Sequence, residues 1–268
     1  MKKVRLDQLL VDKGLAQSRE RAKITIMEGS VFVDGQRVDK PGTAVDPEKQ
    51  IEVRGETLAF VSRGGKKLEK ALKVFPVDPA GCLCIDCGAS TGGFTDVLLQ
   101  NGAQKVYAVD VGYGQLAWKL REDNRVVNME RTNFRYVTRE QIPEEIDFAS
   151  VDGSFISLRL IVPVMRTLLK DGGRAVCLIK PQFEAGRENV GKKGVVRDQS
   201  VHVQVVSDMV QFLLDTGFSV LALDYSPVKG PQGNIEYLVL VEKTDDAQSF
   251  LTVTPSDIVA ASHEALDQ

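Results

Sequence analysis

The sequence lacks the long apolar runs that a membrane protein needs. No segment approaches the roughly 20 consecutive apolar residues of a membrane-spanning helix, and stretches such as YLVLV and LIVPV have the length of core strands and helices. The N-terminal MKKVRLDQLL meets charged residues at once and has no apolar centre of the kind found in signal peptides. These absences predict a soluble, cytoplasmic protein with no membrane segment.

Cysteine and histidine are also scarce. Cys84 and Cys87 form one C-x-x-C pair, but no second pair of ligands follows it, and His202 and His263 are remote in sequence. A structural zinc site needs four such ligands. We therefore expect reduced, buried thiols on strands and no bound metal.

The small net charge hides an uneven distribution of charge. Residues 1–74 carry 16 Lys and Arg against 11 Asp and Glu, and residues 75–268 carry 18 against 26. The first part therefore has a charge of +5 and the second a charge of −8. A basic front on an acidic body indicates that the front faces a polyanion, although an ordinary solvated surface would give the same count.

The first sixty residues predict a small α+β domain. VRLDQLLVDKG places Val4 and the following leucines near one face of a helix that Gly14 ends, and SRERAKITIMEG is a second helix that Ser18 can cap. In SVFVDGQRV, the Asp34-Gly35 turn between two short strands is a strong hairpin signal. The SRGG turn then predicts a domain boundary, with one domain over residues 1–60 and another over residues 61–268.

The order of these front elements resembles the alpha-L RNA-binding fold of a small-subunit ribosomal protein family. In that family the second helix and nearby loops lie against the RNA backbone, and basic side chains there bind phosphates by charge without reading sequence. A small protein-contact domain is the alternative. The residues that the resemblance assigns to RNA are Arg5, Arg19, Arg21 and Lys23, with Arg63 of the SRGG turn.

Beyond Gly65, apolar strands alternate with helices. CLCIDCG, KVYAVDVG, IDFASVDGS and RAVCLIKP are typical of buried strands, and SVLALDYSP and IEYLVLVEK are two closing strands. Such alternation predicts a parallel, doubly wound, Rossmann-like α/β sheet. Ligands of such sheets bind beyond the carboxyl ends of the strands.

A glycine-rich turn joins the first of these strands to its helix, in CIDCGASTGGFTDVLL. It has no lysine after Gly93, as a phosphate loop requires, and it lacks the second glycine of the dinucleotide fingerprint. The remaining pattern resembles the first motif of S-adenosylmethionine-dependent methyltransferases, although a structural tight turn is the alternative. Asp110, at the end of the second strand, is placed to accept hydrogen bonds from ribose hydroxyls, and an acid at this position would also fit NAD. Asp86 is expected to bond the loop backbone or the methionine amino group. The cofactor residues implied are Asp86, Gly88, Ala89, Ser90, Gly92, Gly93, Phe94, Asp110 and, for the adenine, Asn133.

Four polar residues indicate what is methylated. Lys67 begins a helix, Asp152 and Lys180 end strands, and Glu236 begins one. In this order on this sheet they resemble the tetrad of the FtsJ-like ribose 2′-O-methyltransferases. With the RNA-binding front, nearly the whole chain resembles the TlyA family of ribosomal RNA methyltransferases, which are often called hemolysins. Lys66 leaves a one-residue ambiguity that the RGxKL context resolves toward Lys67.

The resemblance implies that Lys180 takes the proton from a ribose hydroxyl, that Asp152 and Glu236 orient it, and that Lys67 helps to position the ribose. Burial and the charge of Lys67 disfavour the charged form of Lys180 and the two acids favour it, so the sequence leaves both outcomes open. The target in the family is a cytidine. Two basic, glycine-rich loops are predicted to face ribosomal RNA, with an ordinary solvated loop as the alternative for each: FEAGRENVGKKGVVRD with Lys192 and Lys193, and SPVKGPQGN with Lys229. A non-catalytic RNA-binding factor and a membrane-lysing protein are the alternatives. The oligomeric state is open.

Overall fold

A computed structural model describes residues 3–16, 18–27, 29–54, 59–230 and 232–267. The chain forms two compact units, Met1–Arg63 and Gly64–Gln268. Arg63, which the sequence pattern assigned to RNA although it lies beyond residue 60, therefore belongs to the first unit.

The first unit combines two helices with short strands. Its elements are β1 (Val4–Arg5), α1 (Leu6–Asp12), α2 (Arg19–Met27), β2 (Val31–Val33), β3 (Gln36–Arg37), β4 (Ala44–Val45) and β5 (Ile51–Val53). β2 pairs with both β3 and β5, and β1 pairs with β4. Asp34 and Gly35 both have positive φ, as a two-residue hairpin turn requires, so the predicted hairpin is confirmed.

The start of α1 corrects one expectation. Val4 was expected on a helical face, but it lies in β1 opposite Val45, and the helix begins at Leu6. The buried core of the unit is formed by the two helices and β2, through Leu6, Leu9, Leu10, Ala22, Ile26 and Val31. The apolar spacing thus identified the core leucines of α1, but it could not show the pairing that keeps Val4 extended. In α2 the spacing was misleading, because Met27, which it placed inward with Ile24, is 58% exposed, whereas Ala22 and Ile26 are buried.

The second unit is a doubly wound α/β sheet, as predicted. Its elements are α3 (Gly65–Val74), β6 (Leu83–Cys87), α4 (Gly93–Gln100), β7 (Lys105–Val109), α5 (Trp118–Arg121), β8 (Val126–Met129), β9 (Ile146–Val151), α6 (Leu158–Leu168), β10 (Leu169–Ile179), α7 (Pro181–Glu184), α8 (Gln199–Asp215), β11 (Phe218–Tyr225), β12 (Tyr237–Lys243) and α9 (Pro255–Leu266). Short 3₁₀ helices cover Phe134–Tyr136 and Arg187–Asn189. The strand order is β11-β12-β10-β9-β6-β7-β8.

One strand departs from the expected parallel sheet. β12 runs antiparallel to both β10 and β11, because the described residues between β11 and β12 include no helix that would carry the chain back across the sheet. The C-terminal helix α9 was also not predicted. Its Thr254 and Asp257 form a capping box, which is a sequence signal for a helix start.

The reversal of β12 brings its first residues to the edge where the parallel strands end. Tyr237 pairs with Ile179, the last residue of β10, and Cys87 at the end of β6 pairs with Val151 at the end of β9. Between β6 and β9 the winding of the sheet changes direction, which is where ligands bind in this class of fold. The segments that follow these strands therefore meet at one edge.

Gly88 connects two of those segments by close packing. It has φ of 87°, and a Cβ built on it would lie 2.6 Å from the carbonyl oxygen of Asp152. Glycine is therefore required there both by backbone conformation and by space.

We predict that Gly88→Ala destabilises the second unit more than Gly81→Ala. Gly81 has a φ of 71° but nothing within 4 Å of its added Cβ. Gly81→Ala should therefore lower the free energy of unfolding only by the cost of a left-handed alanine, about 1–2 kcal/mol. Gly88→Ala should lose about 1–3 kcal/mol more, since it also overpacks. Urea unfolding followed by circular dichroism measures both losses. Equal losses would show that the Asp152 backbone yields without cost.

Candidate active site

Four charged side chains meet at the carboxyl edge of the sheet in an alternating chain. Lys67 lies in the first turn of α3, Asp152 follows β9, Lys180 follows β10, and Glu236 precedes β12. The Nζ of Lys67 is 2.6 Å from Oε2 of Glu236 and 3.3 Å from Oδ2 of Asp152. Lys180 forms an ion pair with the other oxygen, Oδ1, of Asp152. The order in space is Glu236, Lys67, Asp152, Lys180, so Asp152 bridges the two lysines.

The chain of charges is largely removed from solvent. The side chains of Lys67 and Lys180 are 8% and 7% exposed, and that of Glu236 is 1% exposed. Burial alone would lower the pKa of Lys67, but the charges of Asp152 and Glu236 outweigh it and raise that pKa. Burial alone would likewise raise the pKa of Asp152, but Lys67 and Lys180 outweigh it and lower that pKa. Both groups are therefore held in their charged forms.

The structure brings together the four residues that the sequence pattern selected. Lys67, and not the adjacent Lys66, is the lysine that contacts Asp152 and Glu236. Lys180 was expected between two acids, but its ion pair is with Asp152, whereas Glu236 pairs with Lys67. Each lysine therefore has a different environment, and only Lys67 is shared by both carboxylates.

Gln182 is a member of the site that the sequence pattern did not select. Its Nε2 donates to Oε1 of Glu236 at 3.4 Å, the carboxylate oxygen that Lys67 does not contact. Its own Oε1 is buried and has no hydrogen-bond partner among the described residues. A polar residue two positions after Lys180, at the start of a helix, was the only available signal.

The glycine-rich turn is fastened to the end of β7. The backbone N–H groups of Gly88 and Ala89 both donate to the carbonyl of Val109. Asp110 accepts from the N–H of Ser90 through Oδ2 at 2.8 Å and from the N–H of Gly112 through Oδ1 at 2.7 Å. Each carboxylate oxygen of Asp110 keeps a further lone pair. Asp110 therefore holds the turn and can still accept hydrogen bonds from a ligand's hydroxyls.

Asp86 lies behind the turn and is fully buried. Its Oδ2 accepts from the N–H and the hydroxyl of Thr95 at 2.8 and 2.7 Å, and Ser150 donates to its Oδ1 at 3.3 Å. Burial raises the pKa of Asp86 to about 7, and the hydrogen bonds from Thr95 oppose that rise. Asp86 therefore bonds the backbone in the first turn of α4, directly after the glycine-rich turn.

The other predicted cofactor residues lie in four different settings. Gly92 has a φ of 93°, a conformation that favours glycine, and an added Cβ would point at the side chains of Leu120 and Leu116, at 2.2 and 2.8 Å. Phe94 is buried, which leaves its backbone as the part that a ligand could reach. Asn133 is exposed and caps the 3₁₀ helix by accepting from the N–H of Arg135. Gly93 is the first residue of α4.

The basic residues of the first unit divide into paired and unpaired cations. Arg5 and Arg19 both bond Asp7, whose side chain is inaccessible to solvent, and the hydrogen bond from Arg5 is the main cause that lowers the pKa of Asp7 to about 2. Arg21 donates to the carbonyl of Val61. Lys23 forms no ion pair or hydrogen bond with the residues that the structure describes. Arg5 and Arg19 thus have a structural role besides any contact with RNA.

Lys192 and Lys193 lie in an exposed loop between α7 and α8. Neither is paired with any residue in the described part of the chain. Lys229, in the second predicted loop, is instead paired with Asp267 at 2.6 Å. The first loop therefore carries more free positive charge than the second.

The cysteines and the helices bear on two expectations from the sequence. All four cysteines are free, and Cys84, Cys87 and Cys177 are buried. Among the described residues, no helix has the length and apolar character needed to cross a membrane.

Comparison with known proteins places the chain among methyltransferases. The FtsJ-like methyltransferase family matches residues 60–243, and the S4 domain matches residues 4–51. YqxC of Bacillus subtilis, whose assignment as an rRNA methyltransferase is provisional, is 53% identical over 98% of this chain and 94% of its own. TlyA of Mycobacterium tuberculosis, a 16S/23S rRNA (cytidine-2′-O)-methyltransferase, is 44% identical over 92% and 93%. A solved structure from Streptococcus thermophilus, provisionally named a hemolysin, is 50% identical with a TM-score of 0.80 and covers 100% of this chain and 98% of its own.

The pKa of Asp86 predicts a pH-dependent stability. Because its pKa is about 7 when folded and 3.8 ordinarily, the folded chain binds a proton that the unfolded chain releases between these values. The free energy of unfolding should therefore fall as the pH rises from about 4 to about 7, by up to about 1.4 kcal/mol per pH unit from this group. Urea unfolding at a series of pH values measures this slope.

Asp86→Asn should remove that contribution, and the exposed control Asp208→Asn should keep it. A slope that survives unchanged in Asp86→Asn would show that Asp86 is charged throughout this range.

Proposed function

Because the chain belongs to the FtsJ-like methyltransferase family and, with its S4 domain, to the TlyA family, we propose that it transfers a methyl group from S-adenosylmethionine to a ribose 2′-hydroxyl of a cytidine in ribosomal RNA. The observation that carries this proposal is the buried chain of Glu236, Lys67, Asp152 and Lys180 at the switch point of the sheet. The names of the relatives supply the substrate class.

The proposed chemistry needs a base for a weak nucleophile. A ribose hydroxyl attacks efficiently only when a group removes its proton. Lys180 directly follows β10 at the ligand edge, and as a neutral amine its Nζ would accept that proton. When Lys180 is neutral, Asp152 is still paired with Lys67 at 3.3 Å, so no buried carboxylate is left without a cation. This arrangement supports Lys180 as the base and Asp152 as the residue that orients it.

The other two members are proposed to support this pair. Glu236 balances the charge of Lys67 through a 2.6 Å contact, which keeps Lys67 directed at Asp152. Lys67 is then proposed to have two roles: it positions Asp152, and it helps to position the ribose. Removing one member of a buried ion network leaves an uncompensated charge, so each is expected to affect the others.

The residues around the glycine-rich turn fit the proposed cofactor. S-adenosylmethionine, when bound, supplies a methyl group that its sulfonium has already activated. Asp110 retains lone pairs for ribose hydroxyls, Ser90 is exposed on the turn, and Asn133 keeps its amide nitrogen available for a base. Gly88 packs on Asp152, so the turn and the charged chain are adjacent. Asp86, Ala89, Gly92, Gly93 and Phe94 are proposed to shape the turn from behind.

The first unit and the α7–α8 loop are proposed to bind the RNA backbone. Their candidate residues are basic and at least partly exposed where the structure describes their side chains: Arg5, Arg19, Arg21, Lys23, Arg63, Lys192 and Lys193. Phosphate contacts of this kind give affinity and orientation, whereas sequence must be read elsewhere.

A binding factor without catalysis would not need the buried lysines. Burying four charged groups at a strand edge costs desolvation energy, and an apolar packing would be at least as stable. The tetrad therefore favours an enzyme over a binding protein of the same fold.

We predict that Lys180→Ala lowers the rate of methyl transfer by about 10² to 10⁴, the usual contribution of a general base. The assay counts tritium transferred from labelled S-adenosylmethionine to ribosomal RNA. Calorimetry should show that donor binding is retained. Lys180→Arg should also fail, because arginine keeps the charge but cannot give up a proton at neutral pH.

Lys170→Ala is the matched control, because Lys170 is ion-paired with Asp147 at the opposite end of the same two strands, β10 and β9. It should keep nearly full activity. If Lys180→Arg restores most of what Lys180→Ala loses, Lys180 serves as a charge and is not the base. If the wild-type chain transfers no tritium to ribosomal RNA, the proposed function is wrong.

We predict that Lys23→Ala weakens RNA binding without changing donor binding. Each phosphate contact that is lost should reduce the slope of log K against log salt by about 0.7 to 0.9. Filter binding to a ribosomal RNA fragment at several salt concentrations measures the slope, with the exposed Lys40→Ala as the control. An unchanged slope in Lys23→Ala would place Lys23 outside the RNA interface.

A further inference from the structure

The loop between α7 and α8 presents a cluster of unpaired cations. Lys192, Lys193 and Arg197 form no ion pair or hydrogen bond with any residue within the described ranges. They line a cavity of about 330 Å³ together with Asn189 and Asp198. The carboxylate of Asp198 is engaged by the N–H and hydroxyl of Ser200 at the start of α8. The cavity therefore carries an excess of positive charge.

The backbone of this loop is held by buried side chains on both sides of one residue, Val196. The N–H of Val196 donates to Oδ1 of Asn234 at 3.0 Å, and the carbonyl of Val196 accepts from Nε2 of His202 at 3.0 Å. Asn234 also donates from Nδ2 to the carbonyl of Gly194 at 2.8 Å. Asn234 and His202 are each 1% exposed. An exposed cationic loop is thus fixed by two buried side chains.

The same buried residues are attached to the start of β12. A carbonyl can only accept, so Nε2 of His202 carries the proton, and in the neutral ring Nδ1 accepts from the hydroxyl of Tyr237 at 2.7 Å. Tyr237 follows Glu236 directly, and Asn234 precedes Glu236 by two positions. One short segment therefore holds the loop through Asn234 and Tyr237 and holds the charged chain through Glu236.

Gly230 completes this connection. Its N–H donates to the carbonyl of Asn234 at 2.9 Å, and a Cβ built on it would lie 2.6 Å from Oε1 of Glu236. A displacement of Asn234 would therefore change the position of both the loop backbone and the Glu236 carboxylate. The loop cannot move independently of the site without breaking buried hydrogen bonds, each of which is costly to leave unsatisfied.

We propose that Asn234 is a positioning residue that fixes the cationic cavity relative to the tetrad, so that an RNA backbone phosphate held by Lys192, Lys193 and Arg197 places its ribose at Lys180. This inference rests on the proposed function for its substrate. The physical basis is covalent: a ribose and its 3′-phosphate are joined directly, so fixing the phosphate restricts where the 2′-hydroxyl can lie. Restricting the reacting group in this way is a recognised source of rate.

The test is a double-mutant cycle between Asn234, which holds the loop backbone, and the three cations of the loop. The three changes Lys192→Ala, Lys193→Ala and Arg197→Ala are made together, Asn234→Ala is made alone, and the two sets are then combined. The charge variant should raise KM for a ribosomal RNA fragment by on the order of tenfold, as expected when several exposed ionic contacts of up to about 1 kcal/mol each are lost. The salt slope of RNA binding should fall by about 2 to 3 in the same variant.

Asn234→Ala should reproduce much of both effects although it removes no charge, and the combined variant should be little worse than the charge variant alone. Such non-additivity is the signature of residues that act through one another. Loss of stability alone would leave the salt slope of the folded protein unchanged. Asn101→Ala is the matched control, because Asn101 also donates from Nδ2 to a backbone carbonyl, that of Val97 at the end of α4, and it should leave KM and slope unchanged.

Effects that simply multiply in the combined variant, or a wild-type salt slope in Asn234→Ala, would overturn the proposal. Should Asn234→Ala fail to fold, His202→Phe breaks the other hydrogen bond to Val196 with an apolar ring of similar size, and the same non-additivity is expected. Hydrogen exchange on the wild-type chain is a further test. The amide of Val196, which donates to Asn234, should exchange more slowly than an amide of an unbonded loop. Exchange at the rate of an unbonded loop would contradict the proposal. The RNA-binding slopes do not depend on methyl transfer, so failure of the proposed catalysis and failure of this inference are separable.

Discussion

The contact on which the functional region depends is the bridge that Asp152 forms between Lys67 and Lys180. A carboxylate taken out of water costs several kcal/mol unless cations meet it at close range. Here two lysines from different chain segments do so, and Glu236 balances the surplus charge of one of them. Four segments that are far apart in sequence must therefore arrive at one point for any of these groups to be buried. The order of the strands and their ends are what make this possible.

Backbone contacts, as well as charges, fix the position of Asp152. The N–H of Asp152 donates to the carbonyl of Cys87 at 2.9 Å, and Gly88, the next residue after Cys87, lies against the carbonyl of Asp152. The glycine-rich turn and the charged chain are consequently built on the same pair of strand ends. A change in the turn is transmitted directly to Asp152. This coupling supports the proposal that a cofactor and an acceptor are bound at one edge of the sheet.

The sequence was informative where a residue's position in a strand determined its surroundings. Lys180 and Asp152 could be selected because each is a polar residue directly after an apolar strand, and the ends of parallel strands share an edge. Gln182 and Asn234 could not be selected, because their importance comes from partners that only tertiary contact supplies. The same holds for Gly92: the glycine-rich pattern indicated ligand approach, and it could not show that Leu116 and Leu120 lie beside this glycine.

Ion pairing also changes how the basic front must be interpreted. An interpretation based on the charge count of residues 1–74 assumes that every Lys and Arg is available to a polyanion. Arg5 and Arg19, however, are both bonded to one buried carboxylate, Asp7. Those two guanidinium groups remain partly exposed and can still attract phosphate, yet any movement toward RNA competes with the bonds that they already make. Lys23 and the cations of the α7–α8 loop face no such competition from the residues that the structure describes. Affinity for an RNA backbone should therefore depend on the distribution of unpaired cations, and net charge alone is a poor measure of it.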